Sequence, residues 1–136
     1  MAENAPVKRT VVIVDDELDM RIFMSTLFET SGFHAVVARN GREGLAQVRQ
    51  LNPDLILLDV MMPGDGGAWL YKALKEDPQL ACIPVIMLSA VTESAFRHYI
   101  TMLNAQCDTP LPPPQAYMEK PPDPDRLLAV VGQVLG

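Results

Sequence analysis

Short uninterrupted apolar runs alternate along the chain with longer stretches in which apolar positions recur every three or four residues. Val11 to Val14, Leu55 to Leu58 and Val85 to Leu88 are rich in Val, Ile and Leu and carry no polar alternation, the pattern of parallel strands buried on both faces. Ala35 to Ala38 and Ala116 to Met118 are weaker candidates of the same kind. Between these runs the spacing predicts helices. From Glu17 to Ser31, Met20, Phe23, Met24, Leu27 and Phe28 fall at helical offsets, and Gly32 follows as a C-terminal cap. Asn40 and Gly41 begin a second helix, in which Leu45, Val48 and Leu51 share a face before Asn52-Pro53 stops it. A third runs from about Gly67 to Glu76 with Leu70 and Leu74 on one side, ending before Asp77-Pro78. Thr92 to Leu103 reads as a fourth, with Phe96, Tyr99, Ile100 and Leu103 as its apolar side. The last takes Asp123 as N-cap and Pro124 as its first residue, with Leu127, Leu128, Val131, Val134 and Leu135 as its buried stripe. The result is five alternating β and α units, an α/β chain.

Each apolar run ends on a polar group. Asp15 and Asp16 follow the first, Asp59 the third and Ser89 the fourth, while Lys120 follows Ala-Tyr-Met-Glu. In an open parallel sheet the C-terminal strand ends share one edge, where such folds bind ligands, so these distant residues can meet. Taken singly, an Asp at a strand end also reads as a helix cap or turn residue. As a set, carboxylates with one lysine and one hydroxyl suit a divalent cation and a phosphoryl group. Three carboxylates within about 4 Å repel by roughly 4 kcal/mol per pair at a surface-like dielectric, so they need a cation or protons to coexist. Mg²⁺ prefers hard oxygen ligands and fits that need.

A chain of 136 residues, 49% of them hydrophobic, makes one domain with a real core. Residues 1–9 read as a tail and 10–136 as the domain. Within it, the stretch from about 104 to 115 is irregular, because Pro110 and Pro112-Pro113-Pro114 cannot continue a helix and favour an extended path. The net charge of -6, with no basic stripe, argues against direct nucleic-acid binding. No apolar run approaches bilayer-spanning length, and Met-Ala-Glu-Asn-Ala-Pro lacks the regions of a signal peptide, so the expectation is a cytoplasmic protein with no membrane partner. Cys82 and Cys107 form no metal or redox motif and read as ordinary thiols. His34 and His98 have no partners spaced as metal ligands or as a triad.

Val-Asp-Asp-Glu at 14–17, Leu-Leu-Asp-Val-Met-Met-Pro-Gly at 57–64, Leu-Ser-Ala at 88–90 and Tyr-Met-Glu-Lys-Pro at 117–121 together closely resemble the response-regulator receiver domains of two-component signalling, the CheY-like superfamily, with a stand-alone domain as the expectation. The resemblance covers nearly the whole chain. It implies a doubly wound, flavodoxin-like sheet of five parallel strands in the order 2-1-3-4-5, with five helices. It implies Mg²⁺ held by Asp15, Asp16, Asp59 and the backbone carbonyl of Met61, and Asp59 as the nucleophile that takes a phosphoryl group from a phosphohistidine. Lys120 offsets charge. Ser89 contacts the phosphoryl group, and Tyr117, three residues before the lysine, follows it as the switch aromatic; a half-buried strand aromatic is the plainer reading of Tyr117. The protein is then a signalling phosphoacceptor rather than a turnover enzyme, with only self-phosphorylation and slow autodephosphorylation. Its expected partners are a sensor histidine kinase or phosphotransfer protein, an unidentified downstream protein, and a second copy of this chain in a phosphorylation-dependent dimer.

Several positions depart from the pattern. Cys107-Asp108-Thr109 and the prolines replace the usual Gly-Ala-Asp-Asp before the tyrosine, and Pro122 replaces an aromatic near the surface used by histidine-containing partners. Ile22 on the first helix belongs to the same candidate surface. Two residues after Asp59 and two after Ser89 stand the apolar Met61 and Val91, which orient no water for hydrolysis, so the phosphoryl state is expected to be long-lived. Met61 and Met62 would otherwise be read as packing residues. Two other functions compete: a Mg²⁺-dependent phosphatase of the haloacid dehalogenase type, which Asp15 and Glu17 mimic poorly, and a receiver-like scaffold that is never phosphorylated.

Overall fold

The computed structural model describes residues 8–60, 66–105 and 111–136. β1 (Thr10–Val14) lies between β2 (His34–Ala38) and β3 (Leu55–Asp59), and β4 (Val85–Ser89) joins β3 to β5 (Ala116–Glu119). All four pairings are parallel, giving the order β2-β1-β3-β4-β5. One helix follows each strand: α1 (Leu18–Thr30), α2 (Gly41–Leu51), α3 (Gly67–Glu76), α4 (Glu93–Ala105) and α5 (Pro124–Leu135). This is the doubly wound architecture that the alternation predicts.

Side chains alternate across a strand, so each buried strand feeds two cores. Val12, Val14, Ile56 and Leu58 pack on one face with Leu45 and Val48 of α2 and Leu70, Tyr71 and Leu74 of α3. Val11, Ile13, Leu55 and Leu57 pack on the other with Met24 and Phe28 of α1 and Leu127 and Val131 of α5. β3 and β4 are buried along their whole length, whereas the edge strands β2 and β5 each bury a single residue. That is why their apolar signal is weaker. Leu51, expected with Leu45 and Val48, is 36% exposed at the last position of α2, and Leu128 of the α5 stripe is half-buried.

Local chemistry ends the helices where the sequence predicts. After α1, Gly32 adopts φ +93, with its N–H donating to Glu29 and that of Phe33 to Phe28; the Phe28 and Phe33 rings then meet edge-to-face at 5.2 Å. Both hydrogen bonds and the apolar clasp are those of a Schellman cap. Asn40 and Asp123 each accept the N–H of the residue three further on, at 2.9 Å, satisfying donors that a helix start leaves open.

α4 runs to Ala105, two residues past its expected end. Asn104 remains helical, and its Oδ1 accepts the N–H of Leu111 at 2.9 Å. Leu111 is buried in the α2–α3 core, the Tyr71 hydroxyl donates to the Pro112 carbonyl, and Gln115 pairs with Val85 through both backbone and side chain. The described part of the proline segment is thus tied to the core rather than loose on it. Cys107 and Pro110 lie outside the described residues, as does the Leu103 side chain.

Candidate functional site

Strand register sets the site. Val14 pairs with Leu58, Asp59 with Leu88 and Ser89 with Glu119, so Asp15, Asp59, Ser89 and Lys120 emerge side by side along one edge of the sheet. Asp15, Asp59 and Ser89 are the only buried polar residues among those described. Asp16 and Glu17 are exposed just beyond β1. Carboxylate oxygens of Asp15, Asp16, Glu17 and Asp59 all lie within 4.8 Å of one another. Met61, whose carbonyl is expected to complete a cation site, lies outside the described residues, as does Met62.

The Lys120 ammonium sits among these acids. Its Nζ is 2.6 Å from Asp15 Oδ2, 2.9 Å from Asp59 Oδ2 and 3.0 Å from Glu17 Oε1, and its side chain is only 8% exposed. Burial alone would lower its pKa, but hydrogen bonds to Asp15, Asp59 and Glu17 outweigh that cost and hold it above the ordinary lysine value. One ammonium does not balance four carboxylates. The excess negative charge, two of its carriers buried and all of its donors oxygen, is the chemistry that a hard divalent cation satisfies. The donor set therefore fits Mg²⁺.

The floor is built by the backbone. The Asp15 N–H is held by the Ala38 carbonyl at 3.0 Å, and Asp15 Oδ1 accepts the N–H of Glu17 at 2.9 Å. α3 begins so close to the end of β3 that Gly67 faces the Asp59 carbonyl and Val60 with no space for a Cβ. Beyond β4, Ser89 Oγ accepts the Val91 N–H at 3.3 Å, and the Tyr117 hydroxyl donates to the Val91 carbonyl. The Tyr117 ring stacks on Phe96 of α4, with centroids 4.2 Å apart and planes 11° from parallel. Burial raises the Tyr117 phenol above its ordinary value, a hydrogen bond with Ser89 opposes that, and nearby Glu119, Glu93 and Asp59 add to it. The Lys120–Pro121 bond is cis.

Away from the edge, His34 and His98 are exposed, and Cys82 is a free, exposed thiol. Pro122, expected near a docking surface, is buried. Ile22 is 55% exposed and borders a shallow apolar groove of about 420 Å³ with Phe23, Leu27 and Pro124. Sequence reasoning missed the Lys120 contact of Glu17 and the tight seat of Gly67. The acidic run Asp15-Asp16-Glu17 was the available signal for the first; nothing local signals the second.

A doubly wound sheet whose carboxyl edge gathers acids, a hydroxyl and a lysine defines a phospho-accepting signalling module. The sequence matches the response regulator receiver domain family over residues 11–132, and the chain belongs to that family. It is similar to the polar-differentiation response regulator DivK of Brucella anthropi, 33% identical over 129 residues that cover 95% of this chain and 97% of the relative, and equally to that of Brucella ovis. Among solved structures it resembles the chemotaxis protein CheY4 of Vibrio cholerae, with a TM-score of 0.78, 26% identity and coverage of 94% and 99%. The signal receiver domain of a histidine kinase from Syntrophus aciditrophicus aligns with a TM-score of 0.75, 29% identity and coverage of 93% and 89%. As a receiver the protein has a phosphoacceptor role in signalling, and its acidic pocket fits Mg²⁺ and an aspartyl phosphate. No described helix is long and apolar enough to cross a membrane.

Proposed function

We propose that Asp59 accepts the phosphoryl group, with Asp15, Asp16, Asp59 and the Met61 carbonyl holding Mg²⁺, Lys120 offsetting charge, and Ser89 and Tyr117 carrying the conformational response. The observation that supports this most is the placement of the Lys120 ammonium between the buried carboxylates of Asp15 and Asp59, beside a buried serine that ends the neighbouring strand. An Asp59 carboxylate oxygen attacks phosphorus in line. An O–P bond forms as the P–N bond to the donor imidazole breaks, and the leaving nitrogen keeps the electron pair. Little covalent work falls to the protein beyond positioning and charge neutralisation. When bound, Mg²⁺ supplies positive charge for the phosphoryl oxygens.

Once Asp59 carries the phosphoryl group, the Ser89 hydroxyl can donate to a phosphoryl oxygen. Ser89 Oγ and the Tyr117 hydroxyl both engage Val91, so a shift of Ser89 is felt at Tyr117 and, through its stacked ring, at Phe96 on α4. This links a charge change at the sheet edge to a surface that a downstream partner, or a second phosphorylated copy, can read. The groove beside Ile22 suits an apolar helix face of a histidine kinase or phosphotransfer protein. The protein acts by transferring and signalling, turning over only its own phosphoryl group.

Intact-mass analysis after acetyl phosphate and Mg²⁺, on wild type and Asp59→Asn, tests the reading. A phosphoryl adduct on wild type that is absent from Asp59→Asn and abolished by chelating the Mg²⁺ is expected. An adduct that survives in Asp59→Asn, or none on wild type with Mg²⁺ bound, would overturn it.

A further inference from the structure

Three carboxylates share the Lys120 ammonium, but they are not equivalent. The Asp15 and Asp59 side chains are 0% and 5% exposed, whereas that of Glu17 is 62% exposed. Glu17 occupies the N-cap of α1 yet caps no backbone N–H, and glutamate is not a favoured N-cap residue. Helix chemistry therefore does not account for the direction of its carboxylate. Its Oε1 lies 3.0 Å from Lys120 Nζ, across 103 residues of chain.

Asp15 and Asp59 face two claimants, the ammonium and a divalent cation. Both are positive, and a cation bound directly to carboxylate oxygens leaves the ammonium repelled from the same atoms. Lys120 must then give up part of its hold on the buried pair. Released to solvent, a lysine recovers side-chain freedom that has to be lost again before it can contact a phosphoryl group. Glu17 offers an alternative, since its carboxylate is already in contact and stands at the rim. Resting on the phosphoacceptor reading above, we infer that Glu17 is a positioning residue for Lys120, an exposed carboxylate that keeps the ammonium at the edge of the site when a divalent cation takes Asp15 and Asp59 from it.

Calorimetric titration of Mg²⁺ into wild type, Glu17→Gln, Lys120→Met and the double variant tests this without reference to phosphorylation. Glu17→Gln is expected to weaken Mg²⁺ binding by about two- to fivefold, the range for a solvent-exposed ion pair, and to change nothing in the Lys120→Met background. Equal weakening in both backgrounds would make Glu17 a cation ligand or a distant charge and overturn the inference, as would no weakening with Lys120 present. Glu17→Asp keeps the charge but withdraws it by one methylene, so it should behave like Glu17→Gln. Wild-type affinity in Glu17→Asp overturns the inference even if Lys120→Met does not fold. An Asp59-dependent adduct with no Glu17 effect sinks this inference alone; wild type that binds no Mg²⁺ sinks the reading beneath it.

Discussion

Replacing Gly67 with alanine should damage both the fold and the site, although the same change stabilises most helices. The new Cβ would stand 2.2 Å from the Asp59 carbonyl oxygen, 2.6 Å from Val60 Cα and 2.9 Å from the Val60 carbonyl oxygen. All three are backbone atoms, so no side chain can rotate aside. Ordinary contact begins near 3.4 Å, so the start of α3 and the end of β3 must part by roughly 1 Å. Helix propensity favours alanine by up to about 1 kcal/mol, while overpacking costs about 1–3 kcal/mol and a backbone clash belongs at the upper end. The net expectation is a loss of about 2 kcal/mol.

Gly132 supplies the control. It lies within α5, where an added methyl group would meet nothing within 4 Å, so Gly132→Ala should gain about 0.5–1 kcal/mol. Urea denaturation followed by circular dichroism reads both signs. Gly67→Ala moves the backbone that carries Asp59, and a misplacement near 1 Å can cost on the order of a hundredfold in rate, so adduct formation from acetyl phosphate should slow strongly as well. Gly67→Ala as stable as wild type, phosphorylated at the wild-type rate, would refute the reasoning.

Tyr71→Phe removes the donor to the Pro112 carbonyl and should cost about 1 kcal/mol at neutral pH, read as a lower melting temperature. Burial pushes the Tyr71 phenol up to about 12 from the usual 10. Between those values the unfolded chain loses a proton that the folded chain keeps, so this contribution is intact below pH 10 and is lost as pH rises toward 12; the wild-type excess over Tyr71→Phe should shrink across that window. Ile22→Glu places a charge at the rim of the α1 groove and should slow phosphotransfer from a histidine-containing protein about tenfold or more, leaving the acetyl phosphate rate unchanged; equal slowing of both would reject that groove as the docking surface. Met61→Asn should shorten the lifetime of the aspartyl phosphate, and phosphate release on loaded protein unchanged by the substitution would remove the apolar-residue explanation for persistence.

What the sequence discloses and what it hides follow one physical division. β3 and β4 are buried on both faces, so their composition alone announces them; β2 and β5 lie at the edges and bury little, which dilutes the same signal. Helix ends were legible where one residue decides them, as at Asn40 and Asp123. The end of α4 was not, because Asn104 is a poor helix former that stays helical for a tertiary reason, its side chain holding the returning Leu111. At the site, the positions of Asp15, Asp59, Ser89 and Lys120 were readable because parallel strands present their C-terminal ends on one edge, a consequence of topology needing no distances. Partner assignments need distances. Which acid the lysine touches, that Glu17 is among them, and that α3 approaches too closely for any side chain at Gly67 depend on how far two elements stand apart, and no local pattern encodes a separation. The shared edge is therefore set by strand order, while the contacts around it are set by spacing: Glu17 against Lys120, Gly67 against Asp59, and Tyr117 against Val91 and Phe96.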